Sequence, residues 1–149
     1  MIQRIAKPEE AATLTDLAFR SKAHWGYSGE FMAACKHELV VTPEECASGL
    51  IGVALQNRQI AGFYQLAGKP PMGKLDDLFV DPDFMSQGIG SALFQAATAH
   101  ARRLGFTALS IHSDPYAEAF YLHMGAKKVG EEPSGSIPGR TLPLLEVDL

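Results

Sequence analysis

Residues 78–93 read Leu78-Phe79-Val80-Asp81-Pro82-Asp83-Phe84-Met85-Ser86-Gln87-Gly88-Ile89-Gly90-Ser91-Ala92-Leu93. An apolar strand runs into a tight turn, and the turn opens a helix. The first turn of a helix leaves backbone N–H groups unpaired and carries partial positive charge. Glycines at 88 and 90 remove side chains that would hold an anion away from those donors. The stretch therefore predicts a cradle for a pyrophosphate, although a bare Gly-x-Gly also serves packing alone. A P-loop requires Gly-Lys-Ser/Thr after its glycines, and Ile89-Gly90-Ser91 supplies no lysine. A dinucleotide fingerprint requires Gly or Ala where Leu93 stands, and it opens a βαβ unit nearer the start of its fold.

The flanking chain alternates between the two secondary-structure periods. Upstream, Ile2–Ala6 reads as a short strand, and Pro8 begins a helix with Glu9 and Glu10 at its positive end and an apolar stripe of Leu14, Leu17 and Ala18. Ser28 caps a second helix carrying Phe31, Cys35 and Leu39, and Thr42-Pro43-Glu44-Glu45 forms a capping box for one more helical turn. Residues 50–56 and 59–66 are β-type runs flanking Asn57-Arg58, a hairpin. Lys69-Pro70-Pro71-Met72-Gly73 is a turn, and Leu75–Val80 is a third strand of this region. Downstream, a long helix runs from Gly88 to about Leu104 with Ile89, Leu93, Ala96, Ala97 and Leu104 on one side, and Gly105 stops it. A strand over 107–111, a helix from Pro115 to about Met124, and strands over 127–130 and 142–147 complete the pattern. The order β, helices, ββ, β-α-β, α, ββ predicts an α/β fold with a mixed sheet in one domain spanning residues 1–149.

Composition narrows the class of partner. The chain has 149 residues, 46% hydrophobic and 20% charged, which is ordinary for one folded domain. Its 13 Lys and Arg against 17 Asp and Glu give a net charge of −4, so bulk electrostatics draws in neither nucleic acid nor anionic lipid. The first ten residues hold no apolar run like a signal peptide, and no segment approaches the roughly 18 apolar residues of a membrane span. The expectation is a cytoplasmic protein handling a small ligand, without nucleic-acid or membrane partners. The two cysteines, Cys35 and Cys46, lack metal-ligand spacing and read as buried thiols. The five histidines are scattered, so no metal site is expected, and no Gly-x-Ser-x-Gly elbow exists.

A second passage, Asp114-Pro115-Tyr116-Ala117-Glu118-Ala119-Phe120-Tyr121-Leu122-His123-Met124-Gly125, follows the first about twenty-five residues on. Together the two resemble the signatures of the GCN5-related N-acetyltransferase superfamily: Gln/Arg-x-x-Gly-x-Gly/Ala after an apolar strand, then Asn-x-x-Ala-x-x-Phe-Tyr-x-x-x-Gly. Both lie in order within residues 75–125, roughly a third of the chain. Two positions depart from the pattern. Met85 stands where the family has Gln or Arg, which removes a side-chain contact to phosphate, and Asp114 stands in place of Asn. An ionised Asp accepts hydrogen bonds without donating any.

The resemblance implies a mostly antiparallel central sheet flanked by helices, and acetyl transfer from acetyl-CoA to the amine of a small molecule or peptide. Transfer would proceed by direct attack in a ternary complex. Leu78, Phe79 and Val80 would pair with the pantetheine arm, and Ser86, Gln87, Gly88, Ile89, Gly90 and Ser91 would hold the pyrophosphate. Asp114, Ala117, Phe120 and Tyr121 would complete the cofactor site. Tyr121 would donate a proton toward the departing sulfur; moving it fully from a phenol near 10 to a thiolate near 8.5 is uphill by about 2 kcal/mol, so donation of a hydrogen bond is enough. An alkyl amine near 10.4 is mostly protonated at neutral pH, at a cost of about 4.6 kcal/mol to neutralise. Asp76 and Asp77 are the candidate bases, and strand alternation predicts that only one faces the site.

On the acceptor side, the family commonly walls the site with the connection between its first helices, here Ser21–Tyr27. His24, Trp25 and Tyr27 are its candidate contacts, with Trp25 alternatively a core plug. The Ser134–Arg140 loop is either a mobile hairpin or a lid whose Arg140 grips an anion. Other readings are a non-catalytic acyl-CoA-binding module, and a protein N-terminal or lysine acetyltransferase. Dimers are common in the superfamily, so a homodimer is a further expectation.

Overall fold

The computed structural model describes residues 1–149. The N-terminal strand β1 (Ile2–Ile5) leads through a 3-10 turn at Pro8–Glu10 into α1 (Ala11–Ala23). Glu10 fixes that entry, accepting from the Lys7 amide at 2.8 Å and from both Arg4 guanidinium nitrogens at 2.9 and 2.7 Å. Helix α2 (Gly29–Cys35) begins at Ser28, whose hydroxyl accepts from the Phe31 amide at 3.1 Å. The expected single helix through Leu39 ends earlier, and Lys36–Leu39 tightens into a 3-10 turn. The Thr42/Glu45 capping box opens α3 (Pro43–Ala47) as its sequence predicts.

Strands β2 (Ile51–Gln56) and β3 (Gln59–Lys69) form a hairpin in which Asn57 (φ 53°) and Arg58 (φ 65°) take the left-handed conformations that match strand twist. Strand β3 and strand β4 (Met72–Val80) run longer than the apolar pattern suggests. The turn expected over Lys69–Gly73 contracts to Pro70-Pro71, because Lys69 pairs with Met72 and Gly68 with Gly73. Helix α4 (Ile89–Arg103), β5 (Ala108–His112), α5 (Glu118–His123), β6 (Lys127–Pro133) and β7 (Thr141–Asp148) follow.

The seven strands make one sheet in the order β1-β2-β3-β4-β5-β7-β6. Every pairing is antiparallel except β4 with β5. This is the mixed, mostly antiparallel α/β sheet anticipated. Two apolar cores form. One gathers Leu14, Leu17 and Ala18 of α1 against Ile51, Val53 and Phe63, and holds Cys35 and Cys46 as buried free thiols. The other packs Leu93, Phe94 and Ala97 of α4 against Leu66, Leu109 and Leu145. Leu104, expected on that stripe, is exposed beyond the end of α4. No helix is long and apolar enough to cross a membrane.

Candidate active site

The site arises where β4 and β5 part. Their parallel ladder joins only Met72–Lys74 to Ala108–Ser110. Beyond it, Leu75–Val80 keeps β3 on one side and has a bare edge on the other. A cavity of about 920 Å³ opens along that edge, floored by Leu75–Val80 and walled by Ile111, Ser113 and Asp114 from the β5 side. Unpaired strand edges are templates for an extended partner.

At the C-terminal end of β4, Asp81 accepts from the Asp83 amide and pairs with Arg20 of α1, both at 2.9 Å. This pins the turn into α4, and the guanidinium holds the Asp81 carboxyl below its ordinary range. Ser86 (φ 64°) and Gly88 (φ 79°) then turn the chain so that α4 starts at the cavity wall. The first backbone bond of the helix is Ala92 N–H to the Gly88 carbonyl at 3.1 Å, and the amides of residues 86–91 bond to no other backbone group. Six successive donors at the positive end of a fifteen-residue helix suit a diphosphate. The two glycines act differently. Gly88 is needed for its backbone, whereas a Cβ at Gly90 would only rest against Phe120 at 3.5 Å and Val80 at 3.7 Å.

The other chemistry lies at a bulge in β4. Gln65 faces Asp77 and Leu66 faces Leu75, so Asp76 has no partner of its own. Asp76 and Asp77 both lie along the strand edge that lines the cavity, Asp76 exposed and Asp77 half-buried. Burial pushes the Asp77 carboxyl up to about 7, with Asp76 and Glu45 adding to the rise. Val80 lies three positions beyond Asp77, about 10 Å along the strand toward the cradle. Across the cavity stands Tyr121, only 6% exposed. Its hydroxyl has no protein partner and is not sealed in the core, so it looks into the cavity. Burial, and then the carboxylates of Asp77 and Asp114, raise its pKa well above that of a free phenol. A bare strand edge, a ring of free amides, a carboxylate near neutrality and a protonated phenol thus share one cavity.

The sequence model of the acetyltransferase (GNAT) domain matches residues 29–135. The chain belongs to the GNAT acetyltransferase family. The fold is also that of solved GNAT structures. PaiA N-acetyltransferase from Thermoplasma acidophilum, in complex with coenzyme A, superposes with a TM-score of 0.81 at 19% identity, covering 99% of this chain and 98% of that one. Ribosomal-protein-S18-alanine N-acetyltransferase from Escherichia coli gives 0.72 at 17% identity, covering 99% and 92%. YncA from Salmonella typhimurium, a putative acetyltransferase with its cofactor acetyl-CoA, gives 0.70 at 16% identity, covering 99% and 93%. No curated protein matches the sequence.

In this GNAT domain, Leu78, Phe79, Val80, Ser86, Gly88, Ile89, Gly90, Ser91, Asp114, Ala117, Phe120 and Tyr121 all line the cavity, whereas Gln87, expected with them, does not. Asp114 is heavily engaged. It accepts from Lys22 at 3.0 Å, from the Tyr27 hydroxyl at 2.9 Å and from the Tyr116 amide at 2.9 Å. Burial alone would raise its carboxyl, but the Tyr116 amide and Lys22 outweigh it and keep the group ionised. Arg140 donates to the Tyr27 hydroxyl at 2.7 Å and lies 3.7 Å from Asp114, its guanidinium stacked over Tyr27 and Phe31. Arg140 and Tyr27 therefore brace the back of the wall and do not project from it, and the loop before Arg140 is closed by Ser134 N–H to the Arg140 carbonyl at 2.7 Å. Trp25 is no core plug. It is 39% exposed and stacks on Tyr116 at 5.3 Å on the cavity rim. His24 lies off the wall. Sequence reading missed Glu38, Glu45 and Gln65, which line the same cavity. The Thr42/Glu45 capping box marks Glu45 only as a helix start, and nothing in its spacing points to a site.

Proposed function

We propose that the protein transfers the acetyl group of acetyl-CoA to a primary amine by direct attack in a ternary complex. The observation that carries this reading is the continuity of one cavity from the free amides of residues 86–91, along the bare edge of Leu75–Val80, to Asp77 and Tyr121. The diphosphate of the cofactor would lie on the amides. The pantetheine arm would pair with β4 as an added strand, which brings the thioester to the bulge.

There the chemistry is proton management. An ammonium group near 10.4 must lose a proton before attack. A carboxylate near 7 accepts it across a gap of about 3.4 units, where an ordinary Asp near 3.9 would face about 6.5. The nitrogen then forms a bond to the acetyl carbon, the carbon–sulfur bond breaks, and the sulfur leaves as thiolate. Tyr121, kept protonated by its surroundings, donates a hydrogen bond to that sulfur as charge develops. Because its pKa lies above that of the thiol, the phenol need not surrender the proton in the transition state, and water can deliver it afterwards.

The test is release of free coenzyme A from acetyl-CoA in the presence of a panel of primary amines, with calorimetry of coenzyme A binding alongside. Amine-dependent thiol release supports transfer. Coenzyme A binding without turnover across the panel would reduce the protein to an acyl-CoA-binding module.

A further inference from the structure

The two strands that part to form the cleft end in the same way. Beyond β4 the chain reads Asp81-Pro82-Asp83, and beyond β5 it reads Asp114-Pro115-Tyr116. Each aspartate opens a 3-10 turn and accepts the backbone N–H two residues on at 2.9 Å. Each also takes one cation from α1: Arg20 meets Asp81 at 2.9 Å, and Lys22 meets Asp114 at 3.0 Å. Residues two positions apart stand about 200° round a helix, so the two arms leave α1 on nearly opposite sides. Ser21, between them, is buried and lines the cavity. The end of α1 therefore crosses the cleft with one arm on each bank. Trp25 repeats the contact on the β5 bank, stacked on Tyr116 at 5.3 Å with the ring planes 8° apart.

Laddered strands stand about 4.8 Å apart, and an extended chain inserted between them needs about twice that. Backbone pairing between β4 and β5 ends at Lys74 and Ser110, so no ladder sets the gap beyond those residues. Bare strand edges pair with any extended chain within reach, each other included. A charged arm bound to each bank resists both closing and further splaying, and it holds the gap before any ligand arrives. We propose that Arg20 and Lys22 are positioning residues, which keep the C-terminal ends of β4 and β5 at the spacing that admits the pantetheine arm. They act through Asp81 and Asp114 and take no part in the bond changes. This rests on the acetyl-transfer reading, which is what puts pantetheine in the cleft.

The experiment titrates two ligands by calorimetry: coenzyme A, and ADP, which carries the diphosphate and lacks the pantetheine arm. The proteins are wild type, Arg20→Met, Lys22→Met and the conservative pair Arg20→Lys and Lys22→Arg. The preference for coenzyme A over ADP should shrink by about tenfold in each methionine variant, because the arm then pays to order its own cleft. The conservative variants keep a cation on each aspartate and should stay within about threefold of wild type. A role in folding alone would lower Tm and leave that preference untouched. An unchanged preference in the methionine variants, or an equal loss for both ligands, would overturn the inference and leave acetyl transfer standing. Absence of coenzyme A binding by the wild type would overturn the transfer reading itself. The unliganded protein gives an independent readout, because Trp25 is the only tryptophan. Its emission should move to longer wavelength in Lys22→Met as the stack on Tyr116 opens. Unshifted emission would show α1 still docked on the β5 bank without the ion pair, and would overturn the part assigned to Lys22.

Discussion

Asp77 lies opposite Gln65 in the β3–β4 ladder while Gln65 itself donates to Glu45 at 2.6 Å, so a carboxylate on α3 is held close to a carboxylate on the strand. Burial brings Asp77 up to about 7, with Asp76 and then this neighbouring Glu45 adding to the rise. In the wild type, kcat/KM should therefore rise with pH through a limb centred near 7, as Asp77 loses its proton and becomes a base. Asp77→Asn should lower kcat/KM by about 100-fold and erase that limb, leaving the amine's own ionisation near 10. Asp76→Asn should keep the limb and move it slightly lower, since one repelling charge is gone. A pH–rate profile of the three proteins between pH 6 and 10 checks this. Loss of the limb in Asp76→Asn and not in Asp77→Asn would reverse the assignment.

The same carboxylate should register in stability. Its folded pKa lies above the unfolded value near 3.9, so the fold favours the protonated form, and stability is lost as pH rises from about 4 through about 7. Asp77→Asn should consequently raise Tm at pH 8 and change it little near pH 4. Thermal melts at the two pH values suffice.

Tyr121→Phe removes only an oxygen that bonds no protein group, so the packing against Phe94 and Phe120 survives. Turnover should fall by about 100-fold, with coenzyme A affinity within about twofold of wild type. Stopped-flow or steady-state thiol release, paired with calorimetry, separates the two quantities. Unchanged turnover would remove Tyr121 from the chemistry.

What the sequence made legible were features built from neighbours in the chain. The strand–turn–helix of residues 78–93, the Thr42/Glu45 box and the Asn57-Arg58 hairpin each depend on local backbone preference and short spacing. Features built from distant contacts were not legible. The Lys22–Asp114 bond spans 92 positions and the Arg140–Tyr27 bond 113, and nothing in either neighbourhood marks its partner. The β4 bulge also escaped notice, because one inserted residue leaves the apolar pattern intact while it reorients every side chain beyond it. Glu45 reads only as a capping-box residue, and nothing in the sequence around Glu38 marks it. Only the parting of β4 from β5 brings them to a cavity.

The cradle glycines offer a test that separates fold from ligand. Gly88 holds φ 79° with open space around it, whereas Gly90 has helical neighbours and room for a methyl group. Gly88→Ala should cost about 1 kcal/mol of stability from the left-handed backbone, and Gly90→Ala should leave Tm unchanged or raise it slightly. Both should weaken coenzyme A binding if their amides meet the diphosphate, Gly90→Ala without any accompanying loss of fold. Normal coenzyme A affinity in both variants would place the diphosphate elsewhere.

Asp114→Asn restores the residue that the family signature carries, and it should nevertheless destabilise this protein. Here the carboxylate is the shared acceptor for Lys22, Tyr27 and the Tyr116 amide, with Arg140 close behind, and an amide cannot balance two cations. Removing it should cost about 1–3 kcal/mol at pH 7. Its folded pKa is depressed, so the stability it contributes is present above the unfolded value near 3.9 and is lost as pH falls through the folded value. The Tm gap between wild type and variant should accordingly be widest at neutral pH and close in acid. Lys22→Met should recover part of the loss in the Asp114→Asn background, because it removes one of the two stranded charges. An additive double variant would mean that the two residues do not act on each other.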